Sequence, residues 1–212
     1  DAGQWMDSQT VALLQEMKEG GIEHAWIGLN SWEQAYGKPE LVETAVSQDY
    51  LIASYDSYHS IHEPGREQWI TAQFDDPSLY ENAVITDQNG KPESGFQNVG
   101  RKLNPTLSLP AVKNRMEGIM SSQLPFNSWF IDCDATGEIY DDYTPSHITT
   151  QEEDLAARLE RMSYIRDQYH LVIGSEGGND FAASDIAYAH GIELKTFAWM
   201  DEDMKKNQDR KS

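Results

Sequence analysis

A chain of 212 residues, 39% of them hydrophobic, is long enough for one domain with a sizeable core. Its mean hydropathy is −0.65, and no apolar run approaches the roughly 18 residues that a membrane helix needs. Thirty-six acidic side chains against sixteen basic ones give a formal charge of −20, a field that opposes nucleic-acid backbones and anionic membranes but leaves a neutral substrate such as an uncharged sugar unhindered.

Residues 8–20 read as a helix with Val11, Leu13, Leu14 and Met17 on its apolar face and Gly20-Gly21 as its stop. His24-Ala25-Trp26-Ile27-Gly28-Leu29 reads as a buried strand. Pro39 suits the first turn of the next helix, whose inner face is Leu41, Val42, Ala45 and Val46. Tyr50-Leu51-Ile52-Ala53-Ser54-Tyr55 follows as a strand ending in Asp56. The strand–helix–strand rhythm predicts that these two strands are parallel neighbours. Residues 64–110 form a long excursion. In it Ala83-Val84-Ile85-Thr86 runs into an Asn89-Gly90 turn, which predicts a β-hairpin near residues 81–98, placed over a barrel mouth.

After Pro110 the regular rhythm returns. It predicts a helix over 111–123, a strand over 129–133 and a helix over 151–169, with Thr150 as cap and Glu152-Glu153 in its first turn. Leu171-Val172-Ile173-Gly174 is a strand ending at Ser175-Glu176; a short helix over 181–190 and a last strand over 194–199 complete the pattern. Residues 201–212 are almost wholly polar and are expected to fray as a tail. About five core strands alternating with helices indicate an α/β fold over residues 1–200, a (β/α) barrel of TIM type. A complete barrel takes about 250 residues, so this one is expected to be partial, a fragment or reduced version of a larger enzyme. The first residues show neither the basic nor the apolar region of a signal peptide. Cys133, the single cysteine, excludes an internal disulfide. Neither feature fixes a compartment.

Active residues of parallel α/β sheets sit at the C-terminal ends of strands. Four such ends here carry polar groups: Asn30, Asp56, Asp132 with Asp134, and Glu176. An acid at a strand end is as often a helix cap or a solvated loop residue, but four together point to one mouth. Asp132 and Glu176 are the sharpest pair, since each follows an apolar strand and one crossover separates them. Glycoside hydrolysis needs two such carboxylates; in the retaining form they lie about 5–5.5 Å apart, one as nucleophile and one as acid then base. Glycines around Glu176 let the backbone bend and a ligand come near. Asp134 competes with Asp132, because residues two apart in a continuing strand share a side. Trp32 and Tyr58 offer flat faces for a pyranose, whereas Trp26 and Trp129, inside strands, read as core.

Asp56, His59 and His62 form a rival constellation that could ligate zinc for a metal-dependent hydrolase. His24, His147, His170 and His190 supply no second ligand cluster, so loop histidines, or His59 as a hydroxyl-binding residue, are the better reading. Asp141-Asp142 offers oxygens to calcium without the spacing of an EF-hand. The glycosidase chemistry calls for no organic cofactor. Two acids flank Cys133 and would raise its pKa, making it a poor nucleophile.

Three segments carry a family resemblance: Phe130-Ile131-Asp132-Cys133-Asp134-Ala135-Thr136, Tyr140-Asp141-Asp142-Tyr143-Thr144-Pro145-Ser146-His147, and Ile173-Gly174-Ser175-Glu176-Gly177-Gly178-Asn179-Asp180-Phe181. The chain resembles glycoside hydrolase family 129, the α-N-acetylgalactosaminidases, over about residues 129–191. It resembles more distantly family 101, the endo-acting enzymes on mucin-type O-glycans. The resemblance implies hydrolysis of an α-glycoside, with α-linked N-acetylgalactosamine as the sugar and with net retention. It implies Asp132 as nucleophile and Glu176 as acid/base, with Asp134 orienting Asp132 or binding a hydroxyl. It further implies an aspartate from an earlier strand gripping the sugar; Asp56 stands at such an end, while the end before it carries Asn30 and Gln34. A non-catalytic carbohydrate-binding barrel fragment is the other alternative, favoured by the short chain.

Overall fold

A computed structural model describes residues 10–191. Thr10 opens helix α1 (Val11–Glu19), its side-chain oxygen accepting the Leu13 N–H at 3.2 Å. Of the predicted apolar face only Leu14 is buried. Strand β1 (Trp26–Leu29) follows, then a six-residue helix α2 (Trp32–Gly37) too short to show a period in the sequence. Helix α3 (Pro39–Ser47) starts on its proline and buries Leu41, Val42 and Ala45. Strand β2 (Leu51–Ser57) runs parallel to β1, with Trp26 opposite Leu51. The first crossover is thus as the sequence predicts.

In the excursion, the Asp87 to Lys91 turn forms, closed by Asp87 N–H to Lys91 C=O at 2.9 Å, with Gly90 at φ 77°. Its arms are not hairpin strands, because they pair only through single bridges, Thr86 with Pro92 and Val84 with Leu103. The ladder that does form is longer in range. Strand β3 (Ser60–Ile61) pairs antiparallel with β4 (Arg101–Lys102), tying the excursion down beside the end of β2. A four-residue helix α4 (Leu79–Asn82) lies between them.

Helix α5 is Pro105–Met120, beginning six residues before the predicted 111. Asn104 caps it, accepting the Thr106 N–H at 2.9 Å, and Pro105 takes the first helical position. Pro110 sits inside the helix, where it forgoes one backbone hydrogen bond; the cap decides the start, and the later proline is tolerated. Strand β5 (Ser128–Asp132) and helix α6 (Gln151–Tyr169) follow, the latter opened by a full capping box between Thr150 and Glu153. Strand β6 is Val172–Glu176.

The helix expected over 181–190 is absent. A 3₁₀ turn (Asp180–Ala182) leads instead into strand β7 (Tyr188–His190), parallel to β6. Sheet pairing overrides helix propensity here, because Gly174 leaves room for the Tyr188 ring, which would lie 2.0 Å from any Cβ at that position. The expected strand over 194–199 and the polar tail over 201–212 lie outside the described residues.

The five strands form one parallel sheet, β1-β2-β5-β6-β7, curled into a half-barrel. Alternate residues Ile52, Trp129, Ile131 and Ile173 face the helices and pack with Val112, Met116, Met162 and Ile165. Burying each such side chain contributes about 1.5–3 kcal/mol. Trp26, Tyr55 and Phe130 share the other, concave face, where Trp26, 39% exposed, reaches from the first strand of the sheet to within 5.3 Å of Tyr188 on the last. No helix among the described residues is long and apolar enough to cross a membrane.

Candidate active site

Asp132 and Glu176 end the neighbouring parallel strands β5 and β6. Two residues before them stand Phe130 and Gly174, so the period of two turns both carboxylates onto the concave face. One oxygen of each, together with the Cys133 sulfur, lies within 4.8 Å of the others. Cys133 Sγ is 3.4 Å from Asp132 Oδ2 and 3.7 Å from Glu176 Oε2. Tyr55, on the adjacent β2, donates its hydroxyl to Asp132 Oδ2 at 2.8 Å. Burial first, and then the Asp132 charge, push the Tyr55 hydroxyl and the Cys133 thiol far above their ordinary values, so both remain protonated donors.

Cys133 adopts φ 65°, a left-handed conformation costly for a residue with a side chain. It breaks the strand immediately after Asp132 and sends Asp134 to the far side. Gly177, at φ 84°, closes the turn after Glu176; a Cβ there would lie 2.6 Å from Thr136 Cα. This glycine serves close packing of two loops.

The pair opens onto a cleft of about 500 Å³. Tyr55, Ser57, Asp132, Cys133 and Glu176 form its floor, His59, Lys102 and Glu138 one wall, and Trp69 and Phe96 its rim. Lys102 Nζ bonds Glu138 Oε1 at 2.9 Å and also contacts the Tyr140 hydroxyl. His59 Nε2 is 3.2 Å from Glu138 Oε2, and its Nδ1 faces Arg158 at 3.4 Å. Arginine and lysine both only donate, so the tautomer of the ring sets which nitrogen accepts: Nδ1 from Arg158, with Nε2 then donating to Glu138, or Nε2 from Lys102 Nζ, 2.9 Å away. Burial holds His59 below the usual histidine range. The His59 bond, with those from Tyr140 and Lys102, holds the Glu138 carboxyl far below its usual range against the opposing effect of burial.

A family model described as glycosyl hydrolases related to GH101 family, GH129, matches residues 16–212. The chain belongs to glycoside hydrolase family 129. Among solved structures, α-N-acetylgalactosaminidase NagBb from Bifidobacterium bifidum in complex with GalNAc shares the fold at TM-score 0.70 and 17% identity, over 88% of this chain and 32% of that one. A cycloalternan-degrading enzyme from Trueperella pyogenes bound to isomaltose reaches 0.58 at 10% identity, over 86% and 32%. The glycoside hydrolase domain of PelA from Pseudomonas aeruginosa reaches 0.50 at 13%, over 78% and 58%. No curated protein matches. The family-129 chain thus spans about a third of the length of NagBb.

Several residues expected at the family-129 site lie elsewhere. Asp56 faces the helices, fully buried, with Arg115 Nη1 at 2.8 Å; the strand period that points Tyr55 and Ser57 into the cleft points Asp56 away. Asp134 is buried against Arg161 Nε at 2.6 Å. Tyr58 and Trp32 are packed in the core. Asn30 borders a smaller hollow beside Trp26, Tyr55 and His190. His59 alone of the predicted hydroxyl-binding set lines the cleft. His62 packs edge-on to Trp69 at 4.4 Å, its Nδ1 accepting the Gln68 N–H at 3.0 Å. Asp56, His59 and His62 therefore do not converge, and among the described residues the trio placed to share an ion is Asp132, Cys133 and Glu176. Asp142 is consumed by bonds from Thr86, Thr144 and Asn104 at 2.7–3.0 Å, and Asp141 accepts from the Gln151 N–H at 3.0 Å.

Tyr55 was within reach of sequence reasoning, since it adjoins Asp56 at a strand end and alternation turns one of the two toward the cleft. Trp69, Phe96, Lys102 and Glu138 reach the cleft through loops that no local pattern places.

Proposed function

We propose that this chain carries the catalytic carboxylates of a retaining α-glycoside hydrolase, with α-linked N-acetylgalactosamine as its sugar. The observation that carries the reading is the pair itself: two carboxylates on adjacent parallel strands, facing one cleft, with oxygens within 4.8 Å. Retaining enzymes hold their carboxyl groups about 5–5.5 Å apart, inverting ones about 6.5–9.5 Å to admit a water. Asp132 forms a bond to the anomeric carbon while the bond to the leaving oxygen breaks and Glu176 gives that oxygen its proton. Water then attacks the same carbon, Glu176 takes its proton, and the bond to Asp132 breaks. The sugar is supported by family membership and by the fold shared with NagBb, named an α-N-acetylgalactosaminidase. Trp69 and Phe96 at the rim suit the apolar face of a pyranose, and the wall from His59 to Glu138 suits its hydroxyls.

The test is kinetic, on the full-length protein. Asp132→Ala should lower kcat on a nitrophenyl α-N-acetylgalactosaminide about a thousandfold or more. Glu176→Ala should lose far less on that substrate than on a natural glycoside, because a good leaving group needs little protonation. Azide should rescue it, giving the α-glycosyl azide. A first-formed β-sugar in an NMR time course rules out retention; full activity in Asp132→Ala rules out the assignment.

A further inference from the structure

Both hydrogen bonds that the Asp132 carboxylate accepts from described side chains end on one oxygen. The Tyr55 hydroxyl reaches Oδ2 at 2.8 Å, and the Cys133 thiol reaches the same Oδ2 at 3.4 Å. Tyr55 is held by its own surroundings. Its ring stacks on Phe130 at 6.1 Å and 24°, and Phe130 stacks in turn on His190 at 4.4 Å and 6°. The ring is thus placed by a ladder of rings across the concave face, with its hydroxyl reaching Asp132.

We infer that Tyr55 is a positioning residue that selects Asp132 Oδ1 as the attacking oxygen and speeds release of the sugar from it. The inference rests on the reading of Asp132 as nucleophile. With Oδ2 engaged, the lone pairs of Oδ1 are the ones presented to the anomeric carbon. In the first step Oδ1 bonds that carbon as the leaving group departs with the proton of Glu176, and the carboxylate loses its charge. In the second, water bonds the carbon, its proton passes to Glu176, the Oδ1–carbon bond breaks and the charge returns to the carboxylate. A donor on Oδ2 is strongest when that charge is present. It therefore lowers the barrier of the second step, where charge develops, and does little for the first, where charge is lost.

Tyr55→Phe keeps the ring and its stack and removes only the hydroxyl. In the full-length protein, with a dinitrophenyl glycoside that makes the first step fast, kcat is expected to fall roughly 10- to 100-fold. KM should fall with it, leaving kcat/KM within a few-fold. A burst of dinitrophenolate equal to the enzyme concentration should appear, and the intact-protein mass should show a bound glycosyl residue. A residue that only supports the fold would lower kcat/KM without a burst. That outcome, or unchanged kinetics, overturns the inference. Asp132→Ala measured alongside separates the two levels: if it stays active, the nucleophile is misassigned; if it is dead while Tyr55→Phe shows no burst, only the role of Tyr55 falls.

Discussion

Cys133 separates two aspartates with opposite fates. At φ 65° it ends β5 so abruptly that Asp132 faces the cleft while Asp134 turns back under the sheet to Arg161. Both Asp134 and Arg161 are about 1% exposed. Removing the charge from one member of such a buried pair leaves the other uncompensated, which costs about 3 kcal/mol or more. Asp134→Asn should therefore show that loss in urea unfolding, while the folded fraction keeps far more activity than Asp132→Ala. A loss under about 1 kcal/mol would show that the ion pair is not what anchors the turn. The positions of Asp132 and Glu176 were legible in the sequence because apolar strands run straight into them. The divergence of Asp134 was not, because it depends on one backbone angle at a residue type that seldom adopts it.

At the scale of elements, the cleft wall is assembled from three separate stretches. His59 follows β2, Lys102 belongs to β4, and Glu138 lies in the loop after β5. Burial depresses the His59 pKa. Below about pH 6.5 the unfolded chain therefore takes up a proton that folded His59 refuses, and stability falls as pH falls through that window. His59→Gln cannot titrate and should flatten the fall in urea midpoint between pH 7 and 5; parallel curves for the two proteins would show that His59 does not contribute to it. Glu138, with its depressed pKa, contributes stability that is fully present above the ordinary carboxylate range and is lost progressively as pH falls below that range. Helices such as α3 and α6 could be read from caps and periods alone. The β3–β4 ladder could not, since two residues on each side, some forty apart in the chain, have no local signature.

The molecule as a whole is organised by the curl of its sheet. The helix-facing side follows strand alternation and was legible as such, whereas the concave side depends on rings meeting across strands and on the glycines beneath them. Gly174→Ala would put a methyl 2.0 Å from the Tyr188 ring. Such overpacking costs about 1–3 kcal/mol, and a thermal midpoint unchanged by the substitution would mean that the ring moves aside freely. The contact between Trp26 and Tyr188, 5.3 Å across the hollow of the half-barrel, also makes its shape optically accessible. At that separation light absorbed by Tyr188 passes readily to the indole, and because the chain has ten tyrosines and six tryptophans, the difference in tyrosine-excited emission between the protein and Tyr188→Phe is what reports on how tightly the sheet is rolled. Loss of that Tyr188-dependent difference during denaturation before the helical signal fades would record the sheet flattening while its helices are still in place.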